Sequence, residues 1–297
     1  MLGVMAAVMA ACAVPVIRTP IEEVEKYPLI DVHSHRSRSD LQTAAEFLEV
    51  MHVGGISRMN VFDADRGPNQ PLLAREYPDR FVVSYRPPID RSAEMKWPLD
   101  DEEERQILLA VEKALKSGLY KGLGEVITNR GGASNISADS SVVRRIVQLA
   151  GQYNVPINIH CPADKWAEMD RLLRAYPQTV VIWAHAGLYL SPSVIGEFLR
   201  DFPKLYFDLA LTHATGTIRG RGHSFILLGE VIDDSWRQLF ESYPDRFLVG
   251  FDFGQRGITK SMAKEVGEYF RTMLTQLTST TARKIAYENA ARLYKFQ

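Results

Sequence analysis

A chain of 297 residues is long for an ordinary domain, but a single (β/α)8 barrel takes about 250 residues. Hydrophobic residues make up 46% and charged residues 24%, which is typical of a soluble globular protein whose core needs no disulfides. The formal net charge is −1, so the chain lacks the basic balance of most nucleic-acid-binding proteins, and no nucleic-acid partner is expected.

The N-terminal segment is apolar: residues 1–17 carry no charged side chain. It resembles a secretory signal, and residues 9–12 (MAAC) are similar to a bacterial lipobox with Cys12 as the lipid-bearing residue. We therefore expect residues 1–18 to be a signal or lipoprotein segment, and the mature protein to be exported, periplasmic or membrane-anchored. No Lys or Arg precedes the stretch. The alternative is a misassigned start or a helix covering the barrel, which would leave the protein cytoplasmic.

From residue 19 to residue 297, short β-branched runs alternate with longer helical patterns, as in a parallel α/β fold. Eight runs predict strands: Leu29–His35, Ile56–Phe62, Phe81–Tyr85, Gly122–Val126, Pro156–His160, Val180–His185, Leu205–Leu209 and Phe247–Asp252. The helical patterns are Leu41–Met51, Gln70–Tyr77, Glu102–Ser117, Ser140–Tyr153, Lys165–Tyr176, Ser193–Asp201, Ser235–Tyr243, Thr259–Leu277 and Thr281–Tyr294. Eight strands, each followed by a helix, predict a single-domain (β/α)8 TIM barrel.

A doubly wound open sheet would show a similar alternation of strands and helices. Such a sheet normally carries a Gly-rich loop after its first strand. Here the first strand ends in His33-Ser34-His35 instead, which favours the barrel.

Histidines collect at the predicted strand ends. His33 and His35 end the first strand, and His160 and His185 end the fifth and sixth. Because the C-terminal ends of barrel strands converge on one mouth, we expect these side chains to meet there. Asp252 ends the last strand and adds a carboxylate. Mixed imidazole and carboxylate ligands suit Zn²⁺, and also Fe²⁺ or Mn²⁺.

Four strand ends and the C-terminal segment carry a family resemblance. The segments are Asp31-Val32-His33-Ser34-His35, His160 after strand five, Trp183-Ala184-His185-Ala186-Gly187, Gly250-Phe251-Asp252 and residues 285–294. Together they resemble the amidohydrolase superfamily, and more closely its second amidohydrolase family of TIM-barrel metal-dependent hydrolases. The resemblance covers about residues 28–295.

This resemblance implies a metal-bound water as the nucleophile. His33, His35 and His160 match the family's histidine ligands, and Asp252 matches its carboxylate. A bound divalent ion, most simply Zn²⁺, lowers the pKa of water to about 7. Asp252 would then accept the proton of the water and pass it to the leaving group, while the metal or His185 would polarise the scissile carbonyl.

Glu125 departs from a simple single-metal pattern. It ends the fourth predicted strand, where many two-metal relatives carry a modified lysine and some subgroups, including TatD-like nucleases, use glutamate. If Glu125 bridges two ions, His160 and His185 hold the second ion. Otherwise His160 joins the first site and His185 is a hydrogen-bond donor. Both arrangements remain open. Asp31 is interpreted as a buried supporting residue.

Two long loops after strands, Thr128–Asp139 and Ala210–Asp233, are candidates for a lid or for substrate selection. Four nearby residues are candidate substrate-binding groups: Arg86, His213, Arg219 and Arg221. A guanidinium there could bind a substrate carboxylate or phosphate. The alternative is that these residues are solvated loop charges.

The sequence therefore predicts a metal-dependent hydrolase that acts on a C–N or C–O bond of a small molecule, such as an amide, lactone or ester. The first alternative is a metal-dependent non-oxidative decarboxylase, since the family contains such enzymes. The second is a TatD-like nuclease, which Glu125 favours and the missing basic surface disfavours. The sequence leaves the substrate and the oligomeric state undefined.

Overall fold

The structure is a computed structural model that describes residues 18–35, 44–63, 72–89, 99–129, 135–212, 226–253 and 260–296. The N-terminal segment with Cys12, and the rim candidates His213, Arg219 and Arg221, lie outside these residues. Within the described ranges, no helix has both the length and the apolar character needed to span a membrane.

Eight parallel strands form one sheet in chain order. They are β1 (Leu29–His35), β2 (Ile56–Asp63), β3 (Phe81–Tyr85), β4 (Gly122–Ile127), β5 (Ile157–His160), β6 (Val181–Trp183), β7 (Leu205–Asp208) and β8 (Phe247–Leu248). The sheet closes between β1 and the segment after β8, where the amide of Val32 donates to the carbonyl of Val249 (3.0 Å) and Ser34 pairs with Phe253. The predicted (β/α)8 barrel is confirmed.

Helices follow the strands around the outside of the barrel. They are α1 (Ile21–Val24), α2 (Ala44–Gly54), α3 (Leu72–Glu76), α4 (Asp101–Lys116), α5 (Ser141–Gln152), α6 (Trp166–Ala175), α7 (Pro192–Asp201), α8 (Asp234–Ser242), α9 (Lys260–Leu274), α10 (Ser279–Arg283) and α11 (Asn289–Tyr294). Polar side chains start several of them: Asp100, Ser191, Asp233 and Thr278 each accept a hydrogen bond from a backbone amide of the first turn.

The structure differs from the prediction at three places. The last helix was predicted as one element, but a π-helical turn, Lys284–Glu288, separates α10 from α11. The strand predicted to reach His185 ends at Trp183. Its continuation, residues 185–189, has positive φ values throughout (57°, 49°, 71°, 45° and 81°), which an extended strand excludes. We call residues 185–189 the left-handed turn. The last strand ends at Leu248, so Asp252 lies beyond it.

The apolar side chains divide into two layers. The larger layer lies between the strands and the surrounding helices, and it includes Trp183, Phe207 and Phe247. A smaller cluster packs near the N-terminal ends of the strands: Ile30, Val32, Val82, Ile182, Tyr206, Leu248, Ala290 and Tyr294. Because α11 contributes the last two of these residues, the end of the chain closes that end of the barrel. The polar cluster therefore lies at the opposite end.

Candidate metal centre

The predicted ligands meet at the C-terminal ends of the strands. They are His33 and His35 on β1, Glu125 on β4, His160 at the end of β5, His185 in the left-handed turn and Asp252 after β8. All are buried except His160, which is partly exposed. Residues from five separate parts of the chain thus share one small polar volume.

Glu125 lies between the four imidazoles. Its Oε1 is 3.0 Å from Nδ1 of His160 and 3.1 Å from Nε2 of His185. The same oxygen is 3.7 Å from Nε2 of His33, while Oε2 is 3.6 Å from Nε2 of His35. One carboxylate therefore faces two histidine pairs at once, one from β1 and one from the β5 and β6 ends.

Asp252 joins the β1 pair. Its Oδ1 is 3.1 Å from Nε2 of His35 and 3.6 Å from Nε2 of His33. The backbone of Asp252 has a φ of 61°, a left-handed conformation that changes the direction of the chain after β8. The backbone amide of Asp252 donates to the carbonyl of His33 at 2.6 Å, which ties the two segments together.

These separations fit a tetrahedral ion. With metal–ligand bonds of 2.0–2.1 Å, the edges of a tetrahedron are about 3.4 Å long. The contacts that His33 and His35 make through Nε2 with Glu125 and Asp252 span 3.1–3.7 Å. Two imidazoles and two carboxylates are also a donor set that zinc accepts. The residues therefore fit a divalent ion.

Several buried polar atoms of this cluster make no hydrogen bond within the described part of the chain. They are Nε2 of His33, both ring nitrogens of His35, Nδ1 of His185 and Oδ1 of Asp252. A buried polar atom left without a partner costs roughly 1–3 kcal/mol. Such atoms are rare in native proteins, and their concentration at one point is what a cation site requires.

The charges of the cluster are mutually stabilised. Burial disfavours the charged form of His33, but Asp208, Glu125 and Asp252 outweigh burial and raise the pKa of His33 to about 10. Burial dominates at His35 and lowers the pKa of that ring. For Glu125, hydrogen bonds from His160 and His185 overcome burial and hold the pKa well below its ordinary value. A strong negative potential is therefore present where the imidazoles converge.

Burial also opposes ionisation of Asp252. The close contact with the His35 ring and the charges of His33, His35 and His185 outweigh it, so the pKa of Asp252 lies below its ordinary value. Its side chain is 12% exposed, whereas that of His33 is fully buried. Asp252 is thus an ionised carboxylate on the open side of the cluster.

Asp208, at the end of β7, was missed by the sequence analysis. It is fully buried, and its Oδ2 lies 3.0 Å from Nδ1 of His33. The charge of His33 overcomes burial and lowers the pKa of Asp208 to about 2. A signal was present in the sequence, because Asp208 is an acidic residue one position before the end of the predicted strand Leu205–Leu209.

Asp31 is buried as expected and supports β1. Its Oδ1 accepts hydrogen bonds from the amides of His33 (2.9 Å) and Phe251 (3.0 Å). Burial raises the pKa of Asp31 to about 6, although these hydrogen bonds and one from Ser34 oppose the shift. The side chain therefore holds β1 against the segment that carries Asp252.

Glycine is required at Gly124, beside Glu125. Its φ is 129°, and a Cβ there would lie 2.8 Å from the carbonyl oxygen of Asn158. A side chain at this position would push β4 away from β5. The close approach of these strands places Glu125 next to His160.

The rim is described only in part. Arg86 follows β3, is partly buried, and donates its amide to the carbonyl of Asp63 at 2.9 Å. In the loop after β4, Asn129, Ser137 and the amide of Ala138 donate to one oxygen of Glu168, which anchors the loop to α6. The assignment of Arg86 to substrate binding stays a prediction, as do those of His213, Arg219 and Arg221.

Solved structures of low sequence identity share this fold. One is a probable 2-pyrone-4,6-dicarboxylic acid hydrolase from Acinetobacter baumannii with citric acid bound (TM-score 0.54, 15% identity, 90% of this chain and 99% of that chain). Another is an amidohydrolase from Burkholderia multivorans with bound zinc (TM-score 0.56, 14% identity, 91% and 100%). A third is 2,6-dihydroxybenzoate decarboxylase from Rhizobium (TM-score 0.56, 13% identity, 91% and 99%).

A comparison with curated proteins finds no match to this chain. The family model described as Amidohydrolase (Amidohydro_2), however, matches residues 30–296, which is nearly the whole barrel and includes every residue of the cluster. The family resemblance seen in the strand-end motifs is thus confirmed, and the chain belongs to the amidohydrolase family.

Proposed function

We propose that this protein is a metal-dependent hydrolase that cleaves a C–N or C–O bond of a small molecule with an activated water. The observation that carries the proposal is the position of Glu125, a buried carboxylate that faces four imidazoles and lies next to Asp252 at the mouth of the barrel. Membership of the amidohydrolase family supports the same conclusion.

The ligands divide into two sets that share Glu125. His33, His35 and Asp252 form the first set with Glu125, whose Oε1 faces His33 and whose Oε2 faces His35, and their separations of 3.1–3.7 Å are near the edge length of a tetrahedral site. His160 and His185 form the second set with Glu125, within 4.8 Å of one another. We therefore propose that these residues would hold two divalent ions, with Glu125 belonging to both sets, and with Zn²⁺ as the first choice and Mn²⁺ or Fe²⁺ as alternatives.

The chemistry follows from the charge and exposure of the residues. A divalent ion in this position supplies Lewis acidity, which lowers the pKa of water to about 7 and polarises a carbonyl. Asp252 is ionised and lies on the open side, so it accepts a proton from the attacking water and delivers it to the leaving group. Glu125 and His33 are too deeply buried for this role and serve to hold the cation.

The substrate class proposed is an amide, lactone or ester of low molecular weight. The cluster lies in a barrel mouth, which is where enzymes of this fold bind small molecules. The Acinetobacter baumannii protein of the same fold is named as a hydrolase of a pyrone, which is a lactone. This likeness supports small cyclic esters as the first compounds to assay.

The test combines metal analysis with isotope labelling. Protein purified without added ions is analysed for metal, then reconstituted with Zn²⁺, Mn²⁺ or Fe²⁺ and assayed on a panel of lactones, esters and amides in H₂¹⁸O. We expect two ions per chain and one ¹⁸O atom in the carboxyl group that hydrolysis forms, with none in the alcohol or amine released. Carbon dioxide release without ¹⁸O incorporation would favour the decarboxylase alternative, and cleavage of DNA would favour the nuclease. A chain that binds no divalent ion would end the proposal.

A further inference from the structure

We propose that Asp208 is a positioning residue that serves both halves of the metal centre: one oxygen fixes the tautomer of the His33 ring, and the other holds the backbone of His185. The inference rests on the proposed function, since it concerns the ligands named there. Asp208 ends β7 and is fully buried, and among the described residues its carboxylate faces four nitrogen atoms.

The first oxygen, Oδ2, faces the ring of His33 and the side-chain amide of Asn158, at 3.0 and 2.7 Å. An ionised carboxylate only accepts hydrogen bonds, so Nδ1 of His33 carries a proton whether or not Nε2 carries one. Nε2 is then the nitrogen that points at Glu125 and Asp252, at 3.7 and 3.6 Å. A carboxylate behind a ligating histidine usually acts in this way.

The second oxygen, Oδ1, accepts hydrogen bonds from the amides of His185 (3.0 Å) and Ala210 (3.1 Å). His185 begins the left-handed turn, a conformation that is unfavourable for residues with a Cβ. Asp208 therefore binds the turn at the residue whose ring contacts Glu125. The same carboxylate thus acts on one histidine of each ligand set.

Asp208 is not itself a metal ligand in this interpretation. Its carboxylate lies within 4.8 Å of the rings of His33 and His185, which would allow a shared ion. Each of its oxygens, however, already accepts two hydrogen bonds from N–H donors. A cation placed among these four donors would be repelled by them, so Asp208 holds the ligands and leaves the ion to Glu125 and Asp252.

The substitution Asp208→Asn separates the two roles. The amide oxygen of Asn can still accept from the amides of His185 and Ala210. Its NH₂ group then replaces Oδ2 and becomes a donor toward His33 and Asn158. Asn158 can adapt by rotating its amide, because its Oδ1 has no hydrogen-bond partner within the described residues. His33 can adapt only by moving its proton to Nε2, where it blocks the cation.

Asp31→Asn is the matched control. Asp31 is also fully buried and lies on the same strand as His33, but its Oδ1 accepts from two backbone amides and contacts no ring nitrogen. The amide oxygen of Asn keeps both hydrogen bonds. The control therefore removes a buried carboxylate near the centre without changing the tautomer of a ligand.

The first measurement is Zn²⁺ affinity, determined by competition with a chromogenic chelator, for the unsubstituted protein and both variants. We expect Asp208→Asn to weaken Zn²⁺ binding by about 10–100-fold, the usual effect of losing the partner of a ligating histidine. Asp31→Asn should leave the affinity unchanged. Equal affinities for Asp208→Asn and the unsubstituted protein, or equal losses in the two variants, would overturn the proposal.

The second measurement is the ¹⁵N–¹H spectrum of the histidine rings in the metal-free protein. We expect a proton on Nδ1 of His33 in the unsubstituted protein and in Asp31→Asn, and no proton on Nδ1 in Asp208→Asn. A His33 ring without a proton on Nδ1 in the unsubstituted protein would overturn the inference. This measurement is made on the unsubstituted protein, so it does not depend on whether either variant folds. It needs no metal either, so a protein that binds no Zn²⁺ would refute the proposed function while the spectrum still decides on Asp208.

Discussion

Two buried aspartates, Asp31 and Asp208, hold two different parts of the same centre. Asp31 stands within β1, where it pairs with Met59 of β2 just before an irregularity in the strand pairing, and its carboxylate joins β1 to the segment after β8. Asp208 contacts His185 in the left-handed turn, where no strand pairing supports the chain. The β1 histidines therefore belong to a paired strand, whereas the backbone of His185 is held by the carboxylate of Asp208.

Because of this difference, we expect different substitutions to displace the ligands on β1 and the ligand in the left-handed turn. His33 and His35 belong to β1, whose pairing with β2 is irregular between Asp31 and Ser34 and resumes at Ser34 and His35. His185 depends on a strained turn and on the carboxylate that binds it. Substitutions should therefore affect the two halves unequally, except at Glu125, which both halves share.

The largest effect is expected from Glu125→Gln. The shared carboxylate would be replaced by an amide whose NH₂ faces imidazole nitrogens, so both ligand sets lose a ligand. Loss of a residue that hydrogen-bonds to a metal ligand weakens binding by up to about 100-fold. Since Glu125 is proposed as a ligand itself, we expect metal affinity to fall by more than that. Metal analysis after dialysis should find neither ion, and hydrolysis should stop. One ion retained would mean that the halves are independent.

Glu168→Gln provides the control for this change. Glu168 is a partly buried carboxylate that accepts three hydrogen bonds. It anchors the loop after β4 and lies outside the cluster. Its metal content should equal that of the unsubstituted protein. Loss of metal in Glu168→Gln would show that loop order, rather than ligation, governs the site.

Asp252→Asn should disturb the β1 half alone. An amide at this position cannot accept the proton of the attacking water, so kcat should fall by about 10²–10⁴ at saturating metal. Asp252 contacts His33 and His35, and the ion between them should bind more weakly than the ion at His160 and His185. Metal titration checks the second point, and loss of both ions with equal affinity would argue against two ligand sets.

The two aspartates should respond to pH in opposite directions in the metal-free protein. The pKa of Asp31 is raised to about 6, above the value of about 3.9 for an unfolded chain, so its favourable contribution is present below pH 4 and lost as pH rises through 6. The pKa of Asp208 is lowered to about 2, so its contribution is present above pH 4 and lost as pH falls toward 2.

At pH 7, Asp31→Asn should therefore stabilise the metal-free protein, and Asp208→Asn should destabilise it, each by roughly 2 kcal/mol. Urea unfolding at pH 4 and pH 7 measures both effects. The gain from Asp31→Asn should vanish at pH 4. A destabilised Asp31→Asn at pH 7 would contradict the opposite signs.

The smallest effect concerns the left-handed turn itself. Ala186 has φ 49°, a conformation that costs an L-residue about 1–2 kcal/mol and glycine almost nothing. Ala186→Gly should therefore leave the protein as stable as before or slightly more stable. Ala184→Gly is the control, because Ala184 is equally buried but has no positive φ, and it should cost about 1 kcal/mol. Thermal unfolding compares the two, and equal losses would refute strain in the turn.

The features predicted correctly from the sequence depend on the alternation of strand and helix patterns and on which residues lie at the ends of strands. All eight strands were found, β1 and β3 with their observed bounds, because β-branched runs and terminal prolines mark them. His33, His35, His160 and Glu125 followed from strand ends, and Asp31 from its place beside His33. The convergence of these residues needs only the parallel topology of a barrel.

The features that escaped prediction depend on contacts between distant residues. The strand was predicted to continue to His185, the first residue of the left-handed turn, and the amide of His185 instead donates to Asp208. Asp208 itself was absorbed into an apolar run, since its partners, His33 and Asn158, lie far from it in sequence. The π-helical turn before α11 likewise has no marker in local propensity.

The hydrogen bonds that join β1 to the segment after β8 affect when the metal centre can form during synthesis of the chain. The amide of Asp252 bonds to the carbonyl of His33, and Asp31 accepts from the amide of Phe251, 220 residues away. Long-range pairings of this kind form late in folding. A nascent chain on the ribosome therefore carries His33 and His35 long before Asp252 emerges. We expect ion loading to await release of the finished polypeptide.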